Sequence, residues 1–192
     1  MSIKMSSHIT VLNNEQKQIL LKVARETMKT YVKTGKTPTF KIEDELLNEE
    51  YGSFVTLHKK GQLRGCIGNI IGTMSLWKTV RNMAIESATG DPRFPAVRED
   101  ELEQIDIEIS VLTHPKRIKN IEEFHLGKHG VIIKKGFNQG VFLPQVAQET
   151  GWSKEEFLSF LCSHKAGLSP DAWKDKTTEI HIFSAQVFSE TI

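Results

Sequence analysis

The sequence predicts an α+β fold in which antiparallel sheets are flanked by helices. Two stretches, 54–68 and 130–143, each hold two apolar, β-branched runs around a glycine-containing turn, which is the pattern of a hairpin. A third stretch, 104–113, alternates isoleucine or valine with polar residues, as a strand with one buried face does. The helical stretches lie between these strands without the regular alternation that a parallel sheet requires.

Apolar residues at helical spacing predict the main helices. The first runs from Asn13 or Asn14 to about Lys33, the second covers 75–89, and the third covers 154–165 after a capping box. The chain then ends in one predicted strand over 178–189. Because this strand is apolar on both faces, we expect it to be central in a sheet or covered on both sides.

Length and composition limit the possible functions. The 192 residues suffice for one domain, or one domain with two lobes, with a buried core. The formal net charge is +1 and no long run of Lys or Arg occurs, so no electrostatic footprint for nucleic acid is present. The two cysteines, Cys66 and Cys162, lie far apart, which excludes a disulfide framework.

Residues 1–12 are predicted to be a loose leader, and residues 13–192 a single domain. The leader lacks the apolar core of a signal peptide. No apolar run in the chain approaches the length of a membrane span. We therefore expect a cytoplasmic protein in a reducing compartment, without a membrane partner.

The least ordinary local chemistry lies in the return strand of the first hairpin, Leu-Arg-Gly-Cys-Ile-Gly over 63–68. Side chains alternate along a strand, so Leu63 and Ile67 are expected in the core and Arg64 and Cys66 together on the opposite face. The hexapeptide also contains glycines at 65 and 68, and a glycine inside a strand often marks a bulge or a close approach of backbone or ligand.

Arg64 and Cys66 allow two interpretations. A guanidinium beside a thiol favours the thiolate and also offers a fork of donors for a carboxylate or phosphate. Alternatively, Cys66 is a small packing residue, since free cysteines are among the most buried residue types. The residue types alone leave both interpretations open.

A second candidate element is the stiff loop Asp91-Pro92-Arg93-Phe94-Pro95, in which each proline pushes the preceding residue toward an extended conformation. Asp91 and Arg93 either form a local salt bridge that fixes the loop, or supply a second anion-binding arginine beside Arg64. Glu108 and Ser110 lie on the polar face of their predicted strand, where solvent is the first expectation and pocket lining the second.

Histidines and metal ligands give weaker signals. His129 precedes a predicted strand and is either a capping residue or a general base for Cys66. His58 lies close to the turn of the first hairpin and is either an exposed residue or such a base. No paired-cysteine, His-Glu-x-x-His, phosphate-loop or dinucleotide motif occurs. We therefore predict no metal site and no cofactor.

The hexapeptide resembles the signature of the AMMECR-one domain family, whose prokaryotic members are called AmmeMemoRadiSam system protein A. Later blocks of the chain resemble the same family in its order, and the resemblance covers the chain from about Asn14 onward. These blocks are Asp91-Pro92-Arg93-Phe94-Pro95, Glu108-Ile109-Ser110-Val111-Leu112, His129-Gly130-Val131, Leu143-Pro144 with Val146-Ala147, and Gly151-Trp152. The resemblance implies a larger lobe that contains both termini, a smaller middle lobe, and a ligand pocket between them. It supplies no reaction.

Two functions follow as expectations. The first is a binding or accessory subunit whose pocket holds a small anionic ligand or a partner protein's loop, with Arg64, Gly65, Gly68, Asp91 and Arg93 as binding residues. The alternative is an enzyme in which Cys66 is a nucleophile or redox thiol and His129 its base. The family name places this domain beside a Memo-like protein and a radical SAM protein, which implies these proteins as partners in one pathway.

Overall fold

The computed structural model describes residues 12–190. It has the expected α+β fold, with helices and two antiparallel four-stranded sheets. The chain divides into two compact units: the first comprises the residues up to Thr113 together with those from Gln186, and the second comprises His114–Ala185. The predicted leader lies outside the described residues, apart from Leu12, which is buried in the core.

The helices and strands follow the chain in this order. The α-helices are α1 (Asn14–Thr34), α2 (Leu76–Thr89), α3 (Gln145–Thr150) and α4 (Lys154–Phe160). The strands are β1 (Ser53–Lys59), β2 (Gln62–Asn69), β3 (Ile105–Leu112), β4 (Lys116–Ile118), β5 (Gly130–Lys135), β6 (Asn138–Phe142), β7 (Glu179–Phe183) and β8 (Ala185–Ser189). A 3₁₀ segment, Glu99–Gln104, precedes β3.

The first unit is built on a sheet of strand order β2-β1-β3-β8. Helices α1 and α2 bury their apolar faces against it, with Leu20, Val80 and Ile107 at 0% exposure. Helix α1 begins where predicted, because the Asn13 side chain accepts the Gln16 N–H and Gln16 returns a bond to the Asn13 backbone. It ends at Gly35, whose φ of 68° is the left-handed conformation that glycine adopts at low cost.

The second unit has a sheet of order β4-β7-β5-β6 and its own core. The predicted hairpin over 130–143 is present as β5 and β6, although its turn is shorter than expected. Strand β4 was not predicted from the sequence. The helix predicted over 154–165 is α4 followed by a π-helical turn, Leu161–Lys165.

The single final strand predicted over 178–189 is wrong. The extended stretch is interrupted at Ser184. Strand β7, before it, is a central strand of the second sheet, and β8, after it, is an edge strand of the first. Apolar residues on both faces are typical of one covered strand. They belong instead to two shorter strands that serve different cores.

The first hairpin is confirmed, with one correction. Strands β1 and β2 pair antiparallel around Lys60 and Gly61, whose φ values of 52° and 74° are those of a type I′ turn. His58 pairs with Leu63 but Leu57 pairs with Gly65, so Arg64 is the extra residue of a β-bulge. The bulge moves Leu63 to the outer face, where it is 41% exposed and not in the core as predicted.

Candidate functional site

Arg64, the bulged residue, is held by protein acceptors. Its Nε and Nη2 donate to the two carboxylate oxygens of Glu101 at 3.1 and 2.9 Å. Nη1 donates to the Pro95 carbonyl at 2.9 Å, and Nη2 also reaches the Ala96 carbonyl at 3.4 Å. Only 11% of the side chain is exposed. Arg64 therefore anchors the bulge to the loop before β3, and ligand binding by Arg64 stays a prediction.

Glu101 is the buried counter-ion of this anchor, with 8% of its side chain exposed. It also accepts from Lys59 Nζ at 2.8 Å and from the Arg98 N–H at 3.0 Å. The hydrogen bonds from Arg64 above all hold the pKa of Glu101 well below its usual range, against the opposing effect of burial. The charge of Arg64 is thus balanced by a carboxylate rather than directed at Cys66.

Asp91 and Arg93 both bind the backbone of Cys66, Asp91 at its N–H and Arg93 at its carbonyl. The Cys66 N–H donates to Asp91 Oδ2 at 2.8 Å, and Arg93 Nη2 donates to the Cys66 carbonyl at 3.2 Å. Arg93 also binds Asp91 directly, with Nε and Nη2 at 3.0 and 2.7 Å from the two oxygens. These bonds lower the pKa of Asp91 and raise that of Arg93. The local salt bridge foreseen for this loop is therefore present.

The guanidinium of Arg93 is only partly used by these contacts. Its side chain is 55% exposed, whereas that of Asp91 is 2% exposed. The Phe94 ring lies 5.5 Å from the guanidinium carbon. Within residues 12–190, Nη1 has no hydrogen-bond partner. Arg93 is thus a fixed arginine that still presents free donors to solvent.

The two glycines of the hexapeptide are sites of close packing by the protein itself. A Cβ on Gly65 would lie 2.1 Å from the carbonyl oxygen of Ser87 on α2, which is backbone. A Cβ on Gly68 would lie 2.3 Å from the ring of Phe54. Gly65 and Gly68 are adjacent to the site, and contact with a ligand stays a prediction for both.

The Ser87 hydroxyl bridges the two strands of the hairpin at the Val55–Ile67 pair. It accepts from the Ile67 N–H at 2.9 Å and donates to the Val55 carbonyl at 2.7 Å. Since Ile67 faces β1 in this way, its neighbours Cys66 and Gly68 direct their N–H and C=O groups to the outer edge of the sheet. The N–H and C=O groups of Cys66 are already bonded to Asp91 and Arg93, so the N–H of Gly68 is the next donor along this edge.

The thiol of Cys66 is partly buried and lies on the outer face of the sheet. Thr56 Oγ1 donates to Sγ at 3.2 Å. Thr56 pairs with Cys66 on one side and with Glu108 on the other, so the three side chains form one row across β2, β1 and β3. Alternation along the hairpin could have indicated Thr56, but Ser87 and Glu101 left no signal in the sequence.

His129 lies in the second unit, in the loop before β5, whereas Cys66 belongs to the first. Its Nδ1 accepts the His125 N–H at 3.1 Å, within the turn 125–129. Burial lowers the pKa of His129, and the charges of its neighbours add to this effect. A role as general base stays a prediction.

No group of three or more His, Cys, Asp or Glu side chains within residues 12–190 is arranged to hold a metal ion. Cys162 is fully buried, and burial raises its pKa. A cavity of about 370 Å³ lies between α1 and residues 40–44, away from every candidate residue. None of the described helices is both long and apolar enough to cross a membrane.

The anchor makes a prediction about pH. Replacing Glu101→Gln is expected to destabilise the first unit by about 2–4 kcal/mol at pH 7, because Arg64 loses its buried counter-ion. The pKa of Glu101 is lower in the folded state than in the unfolded state, so its contribution is complete at neutral pH and is lost as the pH falls below about 4. Urea unfolding of wild type and Glu101→Gln at pH 7, 5 and 3 measures this contribution to the free energy of unfolding.

The difference between wild type and Glu101→Gln should therefore shrink at pH 3. The control is Asp100→Asn, which removes an exposed carboxylate from the same 3₁₀ segment and should change stability little. A difference that stays constant from pH 7 to pH 3 would contradict a charged anchor.

The family model AMMECR1 matches residues 21–188. A protein of Methanopyrus kandleri is 43% identical, with 93% of this chain and 90% of that protein covered, and one of Methanosarcina mazei is 41% identical, with 94% of each covered. A crystal structure of an uncharacterised protein from Pyrococcus horikoshii has a TM-score of 0.84 at 38% identity and covers 94% of each chain. The chain therefore belongs to the AMMECR1 family.

Proposed function

We propose that this chain is a binding or accessory subunit that takes an acidic group at the edge of β2 beside Cys66. The acidic group is a carboxylate or phosphate of a small ligand or of a partner protein's loop. The observation that carries the proposal is Arg93, which is fixed by Asp91 and the Cys66 carbonyl and still offers Nη1 to solvent.

The fixed position of Arg93 is what favours binding. A free arginine side chain loses rotamer entropy when it binds, whereas this one has lost most of it before a ligand arrives. Arginine also binds carboxylate and phosphate through charge-assisted hydrogen bonds, which are stronger than neutral ones. The outward N–H of Gly68 is a second donor close to the same edge.

Arg64 has a supporting role in this proposal. Its donors are used by Glu101 and by two carbonyls of the loop that follows Arg93. It holds the bulge that orients Cys66, and it also ties β2 to the loop. We therefore assign recognition of the acidic group to Arg93 and the positioning of the strand to Arg64.

The family resemblance adds a partner class to the proposal. We carry over Memo-like and radical SAM proteins as the expected partners, and a reducing cytoplasm as the expected location. In that setting the chain would hold an acidic group for another protein to act on, which requires recognition and no reaction of its own.

Ligand-induced stabilisation tests the anion site. Phosphate, sulfate or citrate should raise the melting temperature of the native protein in a saturable manner, by roughly 5–10 °C at 100 times the Kd. Arg93→Lys should remove most of this increase, because the single ammonium group of lysine cannot bind Asp91 and the Cys66 carbonyl and also present a fixed free donor to the ligand. Arg64→Lys should lower the starting melting temperature and keep the increase.

Arg98→Lys is the matched control, since Arg98 is an exposed arginine of the same loop region, and its response should equal that of wild type. A flat response to all three anions would remove the anion site. So would an increase in Arg93→Lys as large as in wild type.

A second candidate function is an enzyme that uses the Cys66 thiol. The observation that favours it is the row of Cys66, Thr56 and Glu108, in which the Thr56 hydroxyl donates to Sγ. A hydrogen bond to sulfur stabilises the thiolate, which is the nucleophilic form. His129 is the general base of this candidate.

Alkylation of the native protein tests the thiol. Iodoacetamide should label Cys66 before unfolding and Cys162 only after it, because Cys162 is fully buried. Thr56→Val keeps the shape of the side chain and removes the hydroxyl, so labelling of Cys66 should slow several-fold if the thiolate depends on it. Labelling that is unchanged in Thr56→Val, or that requires unfolding, would exclude Cys66 as an activated nucleophile.

A further inference from the structure

A second surface of the first unit has the properties of an unpaired strand. Residues 37–44 connect α1 to the 3₁₀ segment Leu46–Asn48 and belong to neither sheet. Their exposure alternates: Pro38, Phe40 and Ile42 are half-buried, whereas Thr39, Lys41 and Glu43 are exposed. Phe40 and Ile42 pack against the core. A period of two residues is that of an extended strand.

The two edges of this segment differ in their hydrogen bonds. In an extended chain, successive residues direct their N–H and C=O groups to opposite edges. The carbonyls of Ile42 and Asp44 both accept from Asn48 Nδ2, at 2.9 and 2.8 Å, which occupies part of the edge of the even-numbered residues. On the other edge, the backbone groups of Thr39, Lys41 and Glu43 have no hydrogen-bond partner in the described part of the chain.

We propose that this open edge pairs with the same edge of a second copy of the chain, antiparallel, about a twofold axis at Ile42. An unpaired strand edge is a template for another extended chain, and a twofold interface uses the same patch on both copies. In this register, Ile42 lies opposite the partner's Ile42, and Lys41 lies opposite the partner's Glu43.

Charge and hydrogen bonding select this register independently. Residues that lie opposite each other on one face of a sheet interact. In the proposed register each Lys41 lies opposite a Glu43, and both of these pairs are attractive. A shift of two residues in one direction would oppose Lys41 to the partner's Lys41, and a shift in the other direction would oppose Glu43 to the partner's Glu43. The favoured register also pairs odd-numbered residues with odd-numbered residues, and these are the residues on the open edge.

The side chains are free to change partners. Within one copy, Lys41 Nζ lies 2.7 Å from a Glu43 carboxylate oxygen, and the two side chains are 88% and 76% exposed. An exposed pair of this kind contributes little to stability. Exchange with the partner copy therefore costs little, and each opposed Lys–Glu pair adds two backbone hydrogen bonds.

Charge reversal and charge exchange test the proposal on the full chain by sedimentation velocity over a concentration series. Wild type should show a dimer whose fraction rises with concentration. Lys41→Glu and Glu43→Lys should each weaken dimerisation at least about tenfold, because both symmetric pairs become repulsive. The double variant Lys41→Glu/Glu43→Lys should restore the wild-type dimer, since every pair is again of opposite charge.

The control is Lys36→Glu, which makes the same charge change outside the paired residues and should leave the dimer unchanged. The melting temperature of each variant verifies that the monomer is intact, as expected for exposed positions. A protein that stays monomeric at about 1 mM would overturn the proposal. A dimer that tolerates the single reversals, or that the double variant does not restore, would overturn it as well.

Discussion

The ion pair between Arg64 and Glu101 is the interaction on which the candidate site depends. A β-bulge places an extra residue in one strand, leaves it unpaired and disrupts the ladder locally. Here the extra residue is an arginine whose charge is balanced by a buried carboxylate and whose remaining donors bind loop carbonyls. Counted from the turn, the bulge shifts every later residue of β2 by one place, so Cys66 pairs with Thr56 on the outer face instead of with Val55 on the core face.

The contacts of the site also cover part of an exposed sheet edge. Strand β2 lies at the edge of its sheet, and open edges promote unwanted pairing. Asp91 and Arg93 satisfy the outward groups of Cys66, and this covers the middle of the edge. The same contacts immobilise Arg93 beside the thiol. A group that protects the edge is thereby also prepared to recognise an acidic ligand.

Local patterns made much of this structure predictable. The hairpin follows from two apolar runs and the Lys60–Gly61 turn, and the Asp91–Arg93 pair follows from a short spacing within a stiff loop. The glycines at 65 and 68 indicated a bulge or a close approach, but not that Arg64 is the extra residue, because its partner Glu101 is distant in sequence and ordinary as a residue type. Since the bulge reverses side-chain faces, missing it placed Leu63 in the core.

The same distinction explains the final strand. Periodicity indicates that residues are buried but not which core buries them. It therefore cannot separate β7 from β8, which follow each other in the chain and belong to different sheets. For the site, the sequence offered Arg93 as a second arginine beside Arg64. It did not show that Arg64 and Arg93 have separate carboxylate partners, which decides which arginine remains available to a ligand.

The central claim is that Arg93, and not Arg64, receives the acidic group at the edge of β2. A phosphate titration of the native protein followed by ¹H–¹⁵N correlation NMR tests it most directly, because each arginine Nε–H gives its own cross-peak. The account predicts saturable shifts at the Arg93 Nε–H and the Gly68 amide, with the Arg64 Nε–H unchanged. Shifts centred on Arg64, or no saturable shift at either arginine, would contradict it.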